Sequence, residues 1–140
     1  MDNFKELIQW LNKYNFKVIL LGTKKDESVL KKLAGYNENC LVVVDFNIRQ
    51  LSILFKKSSL VISQEGGPMH IAWVSRAKLI AIIPTFGDIT YNIDPLGKNT
   101  KIIKDSERIN ISTNIDIKKD FLDIDIEKVK KDVKRFLDKT

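Results

Sequence analysis

Leu60-Val61-Ile62-Ser63-Gln64-Glu65-Gly66-Gly67-Pro68-Met69-His70-Ile71-Ala72 decides the fold class, because it carries an apolar strand through a glycine turn directly into a helix. Leu60 to Ile62 shows no polar alternation, the pattern of a strand covered on both faces. Gly66 and Gly67 permit positive φ or close approach of another molecule to the backbone. Pro68 suits the first helical position, where its missing N–H has no intrahelical acceptor, and Ile71, Ala72 and Val74 carry the helix inward.

The same alternation extends outward in both directions. Upstream, Phe4, Leu7, Ile8 and Leu11 repeat at helical spacing behind Asn3 and Glu6, which stand in capping-box register. Lys17–Leu21 reads as a strand, Val29, Leu30 and Leu33 as a helix stopping near Gly35, and Cys40–Val44 as a second strand. Asn47 caps a helix through Ile48, Leu51, Leu54 and Phe55 that ends on Lys56 and Lys57, cations suited to its negative pole. Downstream, Lys78–Ile83 is a strand, Pro84–Asn99 has no clear period, and Ile102, Ile103, Ile109 and Ile111 suggest one or two more strands. Ile126, Val129, Val133, Phe136 and Leu137 define a closing amphipathic helix. Apolar strands separated by single helices predict an α/β fold, a doubly wound, mostly parallel, Rossmann-like sheet.

Composition narrows the function. At 140 residues the chain fits one domain, residues 1–140, and 44% apolar with 30% charged side chains is ordinary for a globular protein. One Cys and one His provide neither a disulfide nor a zinc set, so no metal is expected. The 24 basic and 18 acidic residues leave a net charge of +6, but the lysines are interspersed with acids rather than gathered in an aromatic-laced stripe, so no nucleic acid is expected as partner. No apolar run approaches a membrane span, and the expected location is cytoplasmic. The closing helix has a basic outer face that would allow peripheral contact with anionic lipid at the inner membrane, although its acids favour an ordinary solvent face.

In a parallel sheet, ligands bind beyond the carboxyl ends of the strands. Three turns lie there. Gly22-Thr23-Lys24-Lys25-Asp26-Glu27 is neither a P-loop nor a dinucleotide fingerprint; Asp26 or Glu27 could accept hydrogen bonds from ribose hydroxyls or simply complement a helix dipole. In Asp45-Phe46-Asn47, Phe46 could stack on a nucleobase or pack as core. The turn at Ser63–His70 has the strongest chemistry: a helix start with free N–H groups, two glycines and the chain's single His, a combination suited to an anion. Serine-nucleophile chemistry is a poor fit, since no Gly-x-Ser-x-Gly elbow exists.

From about Phe4 to Gly97, and most strongly over Leu60–Ala72 with its acid-x-Gly-Pro-Met-His string, the chain resembles the C-terminal half of family nine glycosyltransferases. These are the bacterial heptosyltransferases of lipopolysaccharide core synthesis. The resemblance implies one half of a GT-B fold, with ADP-heptose or another ADP-sugar as donor and no cofactor. It also implies that the acceptor domain and the general-base aspartate belong to an N-terminal half outside this sequence, a separate partner domain if one exists. Catalytic residues are therefore expected to be none in this chain, and the isolated domain is expected to bind donor without transferring sugar.

Carried over by position, the resemblance implies that Glu65, Gly67 and His70 surround the diphosphate and sugar; Gly66 and Met69 are expected to complete the donor-binding turn, with Met69 filling the space between turn and sugar. By the same resemblance Phe46 is expected to contact the adenine and Asp26 to hold the ribose, all at one end of the sheet. The family usually has Asp at position 65 and Ser or Thr at position 66, and the segment after the fourth strand is altered here. The alternative is a non-catalytic α/β interaction module or truncated-gene remnant whose cleft no longer takes a donor.

Overall fold

A computed structural model describes residues 2–83, 97–104 and 125–138. The chain divides into two compact units, Met1–Asn47 and Ile48–Thr140.

In the first unit, α1 (Asp2–Asn12) leads to β1 (Val18–Gly22). A single 3-10 turn (Lys24–Asp26) then enters α2 (Glu27–Ala34), and β2 (Cys40–Val44) closes the motif. The two strands are parallel, with Val18 beside Cys40 and Gly22 beside Val44, so α2 is a β-α-β crossover. Gly22 lets α2 lie close: a Cβ there would come within 2.8 Å of Leu30 Cδ1. By strand alternation the opposite face carries Ile19 and Leu41, which are register partners and remain 38% and 58% exposed. Among the described residues of this unit, the buried apolar ones are Leu7 and Ile8 on α1. Buried Asn37 accepts the Asn39 N–H at 2.8 Å and reaches the Ile8 carbonyl at 3.5 Å.

The second unit contains α3 (Ile48–Lys57), β3 (Val61–Gln64), α4 (Gly67–Val74), β4 (Leu79–Ile83), β5 (Thr100–Lys104) and α5 (Ile126–Leu137). Its sheet has the order β3-β4-β5, parallel throughout. Every residue of the central β4 is buried, as an apolar strand paired on both edges and packed by α4 and α5 must be. Leu79, Ile80, Met69, Val129 and Val133 are fully buried, each contributing roughly 1.5–3 kcal/mol of transfer free energy. Ser52 and Ser75 share a 2.8 Å hydrogen bond between α3 and the end of α4. At that end, Arg76 takes φ +59°, while the Ala77 N–H donates to Ala72 O and the Arg76 N–H to Trp73 O. This left-handed cap stops α4 and launches β4.

The elements match the expected spans to within a residue or two, but Val74, expected to carry α4 inward, is 76% exposed. α1 begins at Asp2, ahead of the expected cap Asn3, and Gly67 precedes Pro68 as the first residue of α4. The expected α/β fold of parallel strands and helices is found, and among the described residues the strands are hydrogen-bonded in two sheets rather than one, β1–β2 and β3–β4–β5. An apolar strand reports coverage of its faces and leaves its edge neighbours unspecified, so periodicity could not separate these arrangements. Ile102 and Ile103 lie on β5. Ile109 and Ile111, and most of the Pro84–Asn99 connection, lie outside the described residues.

Candidate functional site

The first unit brings two of the sequence-derived residues to the carboxyl end of its sheet. Asp26 ends the turn after β1 and Phe46 follows β2, both exposed, Phe46 at 38%. A short ladder ties these turns together: the Asp45 N–H donates to Gly22 O at 3.1 Å, and the Lys24 N–H donates to Asp45 Oδ1 at 2.9 Å. Asp26 is held from the other side. Its Oδ2 accepts both the Thr23 N–H at 2.9 Å and the Thr23 hydroxyl at 2.6 Å, and these bonds, the hydroxyl foremost, hold its carboxyl below the usual aspartate range. Asp26 is therefore an ionised acceptor at neutral pH. Oδ1 carries no bond among the described residues and is the oxygen available to a hydroxyl.

Glu27, the other acid weighed for the ribose, is committed elsewhere. Its carboxylate lies 2.6 Å from Lys24 Nζ and 2.8 Å from Lys31 Nζ, and these two ammonium groups push its carboxyl down to about 2. Of the two acids, Glu27 is thus engaged by lysines, and Asp26 is the one with a carboxylate oxygen that has no partner among the described residues.

In the second unit, the Ser63–His70 turn follows β3. The Glu65 N–H donates to Ile82 O at 2.9 Å, anchoring the backbone while the side chain stays exposed. Gly66 caps α4 with φ 146° and ψ −175°, a conformation almost confined to glycine. Gly67 is exposed, and an added Cβ would meet nothing within 4 Å. His70 is half-buried one turn into the helix, and neither its imidazole nor the Glu65 carboxylate has a hydrogen-bond or ion-pair partner among the described residues.

One expectation for this turn is corrected. A helix start rich in free amides is predicted, yet Pro68 has no N–H, Met69 is fully buried, and the His70 N–H donates to Gly66 O at 3.3 Å. The accessible donors are the amides of Gly66 and Gly67, neither of which has an acceptor among the described residues. Met69 places its side chain in the core, so the polar contribution rests on two glycine amides, the imidazole and the nearby carboxylate.

Sequence reasoning missed the roles of Thr23 and Asp45. The signal for Thr23 was its position three residues before Asp26, the spacing at which a side chain reaches back to a turn's first N–H. For Asp45 it was an acid at a strand terminus, a residue type that tolerates the left-handed φ of 56° found there. Among the described residues, no group of three or more His, Cys, Asp or Glu side chains is placed to hold a metal ion, and no helix is long and apolar enough to cross a membrane.

A parallel α/β architecture with open turns at the strand ends is the framework of GT-B glycosyltransferases, and solved structures of that class match it. The glycosyl transferase family 9 protein of Veillonella parvula superposes with a TM-score of 0.76 at 16% identity, covering 99% of this chain and 41% of that one. E. coli ADP-heptose lps heptosyltransferase II gives 0.72 at 18% identity, over 96% of this chain and 40% of its own. E. coli heptosyltransferase WaaC, solved with ADP-2-deoxy-2-fluoro heptose, gives 0.72 at 18%, over 96% and 37%. The chain thus spans about two fifths of the length of the solved structures it matches. No curated protein sequence matches it. The profile of glycosyltransferase family 9 (heptosyltransferase) matches residues 1–129, and the chain belongs to that family.

Proposed function

We propose that this chain is the donor-binding part of a heptosyltransferase-type enzyme and that it takes an ADP-sugar. The observation that carries the reading is the turn after β3, where an exposed carboxylate shares one helix start with two glycine amides and an imidazole that have no partner among the described residues. A diphosphate is the ligand such a turn suits, because amide donors at a helix N-terminus and an imidazole N–H both stabilise oxyanions. The first unit, taken by itself, carries a separate and chemically different pair, Asp26 as an anionic acceptor for hydroxyls and Phe46 as an aromatic face for a base.

Sugar transfer from a nucleoside diphosphate requires a base for the acceptor hydroxyl and stabilisation of the departing diphosphate as its charge grows. The residues of this chain serve the second need. The Gly66 and Gly67 amides donate to the leaving group, and His70 adds a donor whose effect increases when the ring is protonated. Glu65 is assigned to accept from sugar hydroxyls rather than to meet phosphate, since two anions together would repel. The general base and the acceptor site are assigned to the part of the relatives that these 140 residues do not span. Contact with a membrane-borne acceptor is likewise a property of the whole enzyme.

Calorimetric titration of the chain with ADP tests the reading. Binding is expected, weakened about tenfold in His70→Ala, the order of magnitude of a lost hydrogen bond to a charged group. Gly67→Ala is expected to weaken it too, because the methyl occupies open space above the turn while the fold accepts it. Absence of heat with any nucleoside diphosphate, or unaltered affinity in both variants, removes the assignment.

A further inference from the structure

The geometry points to Asp45 as a positioning residue: it clips the turn after β1 to the end of β2 and so sets Asp26 and Phe46 in the arrangement that a ribose and its base require. The inference rests on the donor-binding reading above and adds a residue to it.

Asp45 bonds in two directions across the sheet end. Its own N–H donates to Gly22 O at 3.1 Å, extending the β1–β2 ladder by one rung, and its Oδ1 accepts the Lys24 N–H at 2.9 Å. Lys24 opens the 3-10 turn whose last residue is Asp26, and Phe46 is the next residue after Asp45. The clip therefore joins the backbone one side of which presents the carboxylate and the other the aromatic ring. The left-handed φ of 56° at Asp45 breaks the extended course of β2, turning the chain away from the strand direction where Phe46 begins. Thr23 completes the arrangement by occupying Oδ2 of Asp26, which leaves one carboxylate oxygen rather than two for an incoming hydroxyl.

A residue with only a fold-keeping role would bring neither ligand-facing group into register. The Asp45 carboxylate acts across 21 positions of sequence on the first N–H of the turn, and this bond lies at the solvent surface, where it contributes little to stability and much to the placement of an exposed turn. Ordering that turn in advance lowers the entropic cost of capturing a nucleoside.

The test compares ADP with 2′,3′-dideoxy-ADP by calorimetry in the 140-residue chain and two variants. Asp45→Gly removes the carboxylate and relaxes the positive φ, so strain does not confuse the result; Asp45→Asn retains an acceptor oxygen and tolerance of that φ. The unaltered chain is expected to prefer ADP about three- to tenfold, the value of one hydrogen bond to the ribose. Asp45→Gly is expected to bring the ratio close to one without change in melting temperature, and Asp45→Asn to restore it. An unchanged ratio in Asp45→Gly, or failure of Asp45→Asn to restore it, overturns the positioning role. No ADP binding by the unaltered chain overturns the donor-binding reading itself, and an unaltered chain that binds both nucleotides equally removes the ribose contact on which Asp45 would act.

Discussion

The turns after β1 and β3 hold their shapes by different means. After β1, side chains do the holding: Thr23 donates twice to Asp26 and Asp45 accepts from Lys24, all at the surface. After β3, no side chain caps α4, and the shape follows from the backbone of Gly66 and the Glu65 N–H donating to Ile82 O. The supporting layers differ in parallel. The first unit buries Leu7 and Ile8 and leaves Ile19 and Leu41 partly in water, whereas the second surrounds β4 completely. A turn on a deep core can rely on backbone geometry. A turn on a thin two-stranded sheet needs specific polar bonds to stay ordered.

The largest expected effect follows from that difference in depth. Ile80→Ala in fully buried β4 is expected to cost about 2–5 kcal/mol, and Leu41→Ala, at 58% exposure on β2, less than about 1 kcal/mol, both read by urea denaturation. Equal costs would mean that the Leu41 face is as well covered as β4, and the contrast between thin and deep layers would fail.

The next effect separates the two glycines of one turn. Gly66→Ala forces a Cβ onto φ 146° and is expected to cost about 1–3 kcal/mol, although space for the methyl exists, with Pro68 Cδ the nearest atom at 4.0 Å. Gly67→Ala has neither obstacle and is expected to stay within about 1 kcal/mol of the unaltered chain. Comparable melting temperatures for the two variants would show that side chains, rather than the Gly66 backbone, fix the turn after β3.

How much of this could be read from residues alone depends on the kind of interaction involved. Helices and strands were legible because burial imposes a period, as in Leu51, Leu54 and Phe55 or in Leu79–Ile83. Strand pairing was not, since Val42 and Ile80 look alike whichever strand lies beside them. At the candidate site, the composition of Ser63–His70 singled out the turn as a candidate, but the number of usable amides depended on Met69 sinking into the core and His70 closing the first helical bond. Those outcomes are three-dimensional. Asp26 was legible as an acid at a strand end, while its single free oxygen required knowing which way Thr23 turns.

The smallest expected effect probes the ion cluster that borders the first turn. Glu27 has its carboxyl depressed to about 2 from an ordinary 4.5 by Lys24 and Lys31, so the folded chain prefers the ionised form more than the unfolded chain does. The contribution is therefore complete above about pH 4.5 and is lost as pH falls towards 2. Glu27→Gln lacks it at every pH, so the two proteins should differ most near pH 6 and converge by about pH 2 in paired urea titrations. Because Lys24 and Lys31 are 71% and 67% exposed, water and salt screen the cluster, and the difference should shrink further in 1 M salt. A Glu27→Gln protein with the same acid limb as the unaltered chain would place the order of this turn wholly in the Thr23, Asp26 and Asp45 hydrogen bonds, which sharpens the contrast with the backbone-held turn after β3.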